Sequence, residues 1–523
     1  MNYILIVLAS LKKITFVTYL VSYILIISRL KINLILIFFI FVFTQLNAQS
    51  DTLILTKQDS VYLIQSTQNQ TFIGDYIVID VISITGNHRT KPHIIRRELD
   101  YKEGDSINVV KLDSLLKWEK NKLFNTNLFV TTNVEIVRNP TNGNVIMHVH
   151  VHEQWYTIPQ VYLEFADRNI NEWYYQRGAD PRRLNAGIRL AQRNVRGRNE
   201  TLRLTVQGGF TNAYGIGYDM PYIDKKLKWG ASFSMEYSNN TSVAATAENH
   251  VLKYIKSENL ELLRHFYDAS FSLSYRPKFF TKHSFEAAGN YNIISDTIAK
   301  YNPEYFGNSA LIQKYAYLRY TFENDTRDRR QFAHSGHLIK FDLEQLGFTI
   351  YENVHTSRAT ITLNAYKKLY KNSVFFATKL KLKGSVPIRQ PYNEFKALGY
   401  NENWVRGFEL YAIDGQHYVL NRNSIRLRLY SLVIDFKKYI PIRQFRVLPL
   451  DFYITGFGDW GYVSNTDYYF VETFRNQLLS NRLHGSVGAG LNIVSFYNSV
   501  LRFEYSYNSL QQLNFRFSMA TDI

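Results

Sequence analysis

Asn403-Trp404-Val405-Arg406-Gly407-Phe408-Glu409-Leu410, NWVRGFEL, stands in a stretch without periodicity, Pro387 to Tyr418, between two runs that alternate polar and apolar residues. Alternation at a period of two marks a strand with one face in apolar and the other in polar surroundings. An Arg-Gly pair and a bulky aromatic in such a connection read either as ligand chemistry or as a structural latch. The segments on either side decide between the two.

Alternation extends in both directions from this loop. After Trp155 it defines sixteen segments: 157–166, 184–192, 200–210, 214–221, 228–239, 264–276, 282–294, 314–323, 335–347, 354–368, 372–384, 422–435, 450–463, 483–496, 499–507 and 511–519. Most approach or exceed the ~9–11 residues that cross a bilayer at barrel tilt. Phe515 and Phe517 alternate with Arg516, and Phe233, Met235 and Tyr237 with Ser234 and Glu236, as a lipid face and a polar lumen require. Connections are tight at Asp224–Leu227 and Leu369–Lys371 but extended at Asn240–Arg264 and Pro387–Tyr418, the asymmetry of short periplasmic turns and long external loops. A soluble sandwich or propeller also alternates, but needs neither an export signal nor an even strand count. The expected fold of residues 155–523 is an all-β transmembrane barrel of sixteen antiparallel strands.

Composition agrees. Tyr and Phe number 39 and 35 against 11 Pro, a balance that favours strands. The chain of 523 residues has no Cys, which removes disulfides, thiolate metal sites and a nucleophilic Cys. Lys plus Arg exceed Asp plus Glu by 17, and Lys12, Lys13, Arg29 and Lys31 precede Ala48 with no acidic residue among them. The remaining excess is spread without a basic block, so it reads as solvated faces rather than a nucleic-acid surface.

Residues 1–48 form a targeting segment of two apolar runs, Ile14–Ser28 and Ile32–Leu46. Each is short of the ~20 residues of a spanning helix. The second has a basic start, an apolar core and Leu46-Asn47-Ala48 before Gln49, the anatomy of a secretory signal. The first run is superfluous to that signal, and translation is expected to begin near Leu30, leaving residues 1–29 upstream of the start. Residues 49–75 are polar and weakly patterned, a linker without a convincing amphipathic helix.

From residue 76 to 154 a small α+β domain is expected. Tyr76–Ile84 alternates like a strand, Gly86-Asn87 is a turn signal, and Lys91–Leu99 suits a short helix. Asn108–Leu123 carries Val109, Leu112, Leu115, Leu116 and Leu123 at helical spacing. Val130–Arg138 and Asn144–Glu153 alternate again across Pro140-Thr141-Asn142-Gly143. Strand, helix, helix, strand, strand makes one sheet with helices on one face, able to fold alone with Leu115 and Leu116 in its core.

VISITGNHRTKPHIIRRELDYKEGD resembles a POTRA domain, the periplasmic module of outer-membrane assembly and translocation proteins. In that resemblance Gly86 turns the chain after the first strand and Leu128-Phe129 ends the second helix. VRGF at 405–408 resembles the signature of the BamA/TamA/surface-antigen superfamily, in the loop after the eleventh barrel strand, and eleven of the sixteen segments precede it. The resemblance implies that the loop folds into the lumen and that its Arg meets an acidic residue of the thirteenth strand in a Phe-x-Asp-x-Gly pattern. Phe457-Gly458-Asp459-Trp460-Gly461 matches that pattern. Asp325-Thr326-Arg327-Asp328 with Gly336, before the ninth strand, resembles a third family feature, and Asn194-Val195-Arg196-Gly197 fits the first tight turn.

An Arg in a partly desolvated lumen is costly unless its donor fork meets a carboxylate. Gly407 permits a tight turn and Phe408 can wedge the loop tip, so the arrangement is expected to be a latch rather than a catalytic dyad. The chain departs from the family in having room for one POTRA domain and in ending Met519-Ala520-Thr521-Asp522-Ile523 rather than on an aromatic. Its twelfth strand, Ser424-Ile425-Arg426-Leu427-Arg428-Leu429, offers no acidic residue for a second contact to the loop Arg.

No enzyme constellation stands out: the chain has no Gly-x-Ser-x-Gly, P-loop or His-Glu-x-x-His. His148, His150 and His152 alternate on one strand face, a metal-capable spacing, but a half-exposed polar face accounts for them better. Asp325 and Asp328 sit among Arg327, Arg329 and Arg330, which reads as a salt-bridged periplasmic turn. The resemblance implies an outer-membrane factor for protein assembly, insertion or translocation that uses no cofactor, metal or nucleotide. Its partners would be unfolded outer-membrane or secreted clients and outer-membrane lipids, with periplasmic or lipoprotein partners as further candidates and no nucleic acid. The client would add a strand to the small domain and to the seam between the first and sixteenth strands. The alternatives are a two-partner-type secretion pore and a passive porin.

Overall fold

The computed structural model describes residues 76–521, apart from 139–144, 168–170, 225, 227, 258–260, 330–331, 350–351, 401–402, 436–446, 466–477 and 496–498. The targeting segment, the expected start near Leu30, the linker 49–75 and Arg330 lie outside the described residues.

The N-terminal domain is a POTRA-like α+β unit. The single strand expected over Tyr76–Ile84 is two: β1 (Tyr76–Val78) pairs with β3 (Ser106–Asn108), whereas β2 (Val81–Thr85) runs parallel to β5 (Val145–Glu153). The break falls at Ile79 and Asp80, whose amides turn to Asp105 and Val145. β4 (Phe129–Arg138) flanks β5 in antiparallel fashion, so β5 is central and β2 and β4 are the edges. Helix α1 (Pro92–Arg96) is shorter than expected and opens on Pro92, where a missing amide costs little. Asn108 caps a short 3-10 turn through the Val110 amide (2.9 Å), and α2 (Leu112–Asn125) follows. The helix stops at Asn125, not at Leu128-Phe129; those two residues lead into β4 and are buried in the core with Ile79, Ile136, Met147 and Leu123. Leu115 and Leu116 are half-buried on the rim of that core, and Leu123 is the fully buried leucine of α2.

The sixteen expected segments are all strands of one antiparallel sheet. Strands one to five are Thr157–Phe165, Leu184–Val195, Glu200–Gly209, Thr211–Met220 and Trp229–Asn240. Six to eleven are Arg264–Lys278, Thr281–Ile294, Ile312–Asp325, Gly336–Leu346, Thr356–Tyr370 and Val374–Val386. Twelve to sixteen are His417–Asp435, Val447–Ser464, Leu483–Val494, Ser499–Asn508 and Leu513–Thr521. Each pairs with its neighbour in sequence, and the period of two sorts their side chains. Leu513, Phe515 and Phe517 are exposed on the outer face, while Arg516 reaches Glu504 at 3.4 Å. Phe233 and Met235 face outward, and Ser234 bonds Ser270 at 2.7 Å. Tyr214, Tyr237, Tyr267 and Tyr291 stand opposite one another on strands four to seven, a stretch of aromatic girdle.

The long connection after strand five holds its own hairpin, Ser242–Glu248 with Val251–Lys256. It packs with the Asp296–Tyr301 helix after strand seven: Val243, Ala245, Ile298, Ala299 and Tyr392 share one cluster. At the opposite end the small domain sits on the barrel turns. The Gly197 carbonyl accepts from the Lys91 amide (3.0 Å), Tyr222 donates to Glu98 (3.3 Å), and Trp118 packs on Phe280.

Candidate functional site

Thirty residues separate strand eleven from strand twelve, and they carry structure of their own. A 3-10 turn at Tyr392–Glu394 leads into Lys396–Leu398, which pairs with Ile413–Asp414 to close the loop on itself. NWVRGFEL lies between those two arms and runs along the inner wall.

Arg406 is buried and meets Asp459 of strand thirteen through two near-parallel bonds, Nε to Oδ2 and Nη2 to Oδ1, each 2.7 Å. Its backbone amide also points at Asp459 Oδ2 (3.3 Å), and the guanidinium lies 3.8 Å over the Phe457 ring. Such a fork-to-fork pair fixes both distance and plane, which a Lys ammonium does not do. Nη1 turns to Glu504 of strand fifteen (3.3 Å), and Nη2 also donates to Ser424 Oγ and the Asn423 carbonyl, each at 3.2 Å.

The second carboxylate is therefore Glu504. The family resemblance points to strand twelve for this contact, and strand fifteen supplies it instead; in FEY, Glu504 alternates like any lumen-facing polar residue. Strand twelve contributes differently, since Arg422 donates to the Trp404 carbonyl (2.8 Å) and Arg426 to the Ala333 carbonyl (3.1 Å). Arg516 of strand sixteen lies over the Trp404 ring and shares Glu504 with Arg406.

Gly407 takes φ +88°, in the left-handed region. A Cβ there would also come within 2.9 Å of Ser506 Oγ, so the turn and the wall select glycine together. The Gly407 carbonyl accepts from Asn508 (2.7 Å) and Asn514 (3.0 Å), which ties the loop tip to the last two strands. Phe408 is buried among Leu398, Val405, Ile413, Tyr418, Leu420 and Val463. Gly461 completes the pattern by absence of bulk: a Cβ would lie 2.7 Å from Val405 and 2.8 Å from Leu398. In Phe-x-Asp-x-Gly the ring stacks, the carboxylate pairs and the glycine makes room.

The other sequence candidates lie elsewhere. Asp325 takes Arg327 bidentately (2.8 and 2.7 Å), Asp328 accepts from the His334 and Ser335 amides, and Gly336 has φ +96° with no room for a Cβ beside the Thr326 carbonyl. This turn folds back so that His334 stacks on Phe375 at 4.0 Å and accepts or donates at the Tyr453 hydroxyl (3.1 Å), a packing not legible beforehand. Gly86 has φ +84° against the Val151 carbonyl, and Asn87 donates to the Thr90 carbonyl (2.9 Å). His148 and His150 both reach Thr85 Oγ1 (3.1 and 2.9 Å), and burial lowers the His150 pKa. Glu153 accepts from the Thr90 amide (2.6 Å) and hydroxyl (2.5 Å), and Asn194 of strand two donates to the same hydroxyl (2.9 Å). Tyr156 donates to the Leu128 carbonyl (3.1 Å), and burial pushes its phenol pKa up, keeping it a donor.

The profile of the Omp85 superfamily domain matches residues 194–523, and that of the surface antigen variable number repeat, a POTRA domain, matches residues 77–154. Among solved structures, BamA from Haemophilus ducreyi lacking POTRA domains 1–3 is similar with a TM-score of 0.50 at 16% identity, over 85% of this chain and 84% of that one. CdiB from Escherichia coli is similar with a TM-score of 0.51 at 12% identity, over 85% and 74%. No curated protein sequence matches the chain.

Proposed function

Since the chain belongs to the Omp85 superfamily, whose outer-membrane barrels insert or translocate proteins, we propose that it inserts client strands at the seam between its first and sixteenth strands. The observation that carries this reading is an open ladder. Among the described residues, strand sixteen pairs only with strand fifteen and strand one only with strand two. An unpaired row of amides and carbonyls is a template for another strand. Pro159 in strand one lacks an amide donor, a residue suited to an edge rather than to a closed ladder.

The lumen loop supplies the asymmetry. Its Arg406–Asp459 latch and the Gly407 carbonyl hold strands thirteen, fifteen and sixteen together. Strand one is joined to strand sixteen through Asn171 of the first loop, whose amide donates to the Phe515 carbonyl (2.5 Å). The C-terminal side of the seam is then the edge that the lumen loop holds. The edges β2 and β4 of the POTRA domain offer an earlier docking strip for an extended client.

A photo-crosslinking residue at Val161 or Leu513, both exposed on the seam strands, tests this in cells. Capture of several unfolded barrel proteins supports insertion, and capture of one secreted protein transfers the seam to the two-partner reading. A porin captures neither and gives a large steady conductance. The loop packed through the lumen speaks against that pore.

A further inference from the structure

A second feature of the lumen lies on the wall away from the latch. Strands six to twelve and the folded loop enclose a cavity of about 680 Å³, within the ~300–1,000 Å³ range of small-ligand sites. Eight cationic side chains line it against five carboxylates. The imbalance is not evenly distributed.

The carboxylates are largely consumed by two arginines. Arg319 bonds Glu344 (2.6 Å) and Glu286 (2.9 Å), Arg358 bonds Glu344 (3.2 Å) and Glu394 (3.1 Å), and Lys340 takes Asp342 (3.1 Å). Arg264, Lys383 and Lys396 make their close contacts to neutral groups, with Glu344, Glu394 and Asp414 acting on the two lysines from beyond ion-pair distance. Arg264 donates to the Asn292 side chain (3.0 Å), Lys383 to the Lys396 carbonyl (2.6 Å), and the Lys396 ammonium lies over the Tyr400 ring. Among the described residues no carboxylate lies within ion-pair distance of these three. Lys396 sits on the loop inside the barrel, yet its side chain is open to the cavity. Three cations held inside a protein without a direct ion pair are costly unless water or an anion completes them.

We propose that this cavity is a binding site for a small multivalent oxyanion, a phosphate ester or polycarboxylate, held by Arg264, Lys383 and Lys396. Asn292 Oδ1 takes the Nε/Nη2 edge of Arg264, so the Nη1/Nη2 end of the guanidinium is left to meet two oxygens of one group, and the two ammonium groups act as point charges that tolerate different ligand shapes. Two of the three cations flank the loop: Lys396 is on it and Lys383 bonds it. Occupancy therefore stabilises the loop in its lumenal position. The site stands apart from the seam and does not depend on which protein is inserted or translocated.

The test is calorimetric titration of the full chain in detergent micelles with pyrophosphate, and separately with citrate, at low and high salt. Saturable binding of one anion per barrel is expected, weakened at least tenfold in Lys383→Gln/Lys396→Gln and unchanged in Lys253→Gln on the external hairpin. If the double variant does not show the heat-modifiable mobility of a folded barrel, Lys396→Gln alone must weaken binding at least threefold. Pyrophosphate binding assigns a phosphate ligand, and citrate binding alone assigns a carboxylate. Binding of neither, or equal binding by folded variant and parent, overturns the site.

Discussion

Arg406 of the lumen loop and Asp459 of the barrel wall, 53 residues apart in the chain, are joined by two bonds of 2.7 Å, and neither is open to solvent. Removing one partner of a buried pair strands the other charge at a cost of roughly 3–5 kcal/mol. Arg406→Ala strands Asp459 and releases Glu504 at once, so it is expected to be the most damaging single change. Asp459→Ala is expected to cost less, because Glu504 still faces the guanidinium. The two should couple by roughly 0.5–3 kcal/mol in a double-mutant cycle read by denaturant unfolding in micelles. Arg406→Lys should resemble the alanine variant, since an ammonium cannot span both Asp459 oxygens. Additive effects would place Arg406 outside the latch.

Gly461 gives a steric test of the same contact. Gly461→Ala should push Val405 and Leu398 off the wall and lower the heat-modifiable fraction of the barrel. Because the obstructing atoms are side-chain ends, Val405→Ala should recover much of the loss in the Gly461→Ala background. Absence of any rescue would mean that the loop does not lie against Gly461.

In the POTRA domain the leucines of α2 should rank by burial. Leu123→Ala removes a fully buried side chain and should cost roughly 2–5 kcal/mol, as core Leu→Ala changes do. Leu115→Ala and Leu116→Ala, half-buried on the rim, should cost clearly less. Thermal unfolding of the fragment 76–154 measures all three. Equal costs would contradict the helix face assigned to the core.

How the fold was legible follows from the same physics. A barrel strand needs only its own alternation to be recognised, and Phe515-Arg516-Phe517 carries it in three residues. The loop motif and Phe457-x-Asp459-x-Gly461 could be paired from their resemblance, because each residue of the pattern has one steric or electrostatic task. Glu504 could not, since nothing local separates a latch carboxylate from another lumen-facing acid. The same holds for His334, whose stack on Phe375 depends on how a turn folds back into the barrel. The break between β1 and β2 was hidden because Tyr76–Ile84 keeps its alternation while changing partners at Ile79. Leu128 and Phe129 are apolar enough to extend a helix, but they are buried beyond its end.

The claim that the seam must open is tested most directly by closing it. The chain has no cysteine, so Asn171→Cys with Phe515→Cys introduces the two thiols of a single reversible tether where the first loop meets strand sixteen. The measurement is the rate at which the purified chain, reconstituted in liposomes, accelerates folding of a denatured barrel protein. Oxidation is expected to abolish the acceleration in the double variant but not in either single variant, and reduction to restore it. Full acceleration with the tether verifiably closed would contradict insertion at this seam.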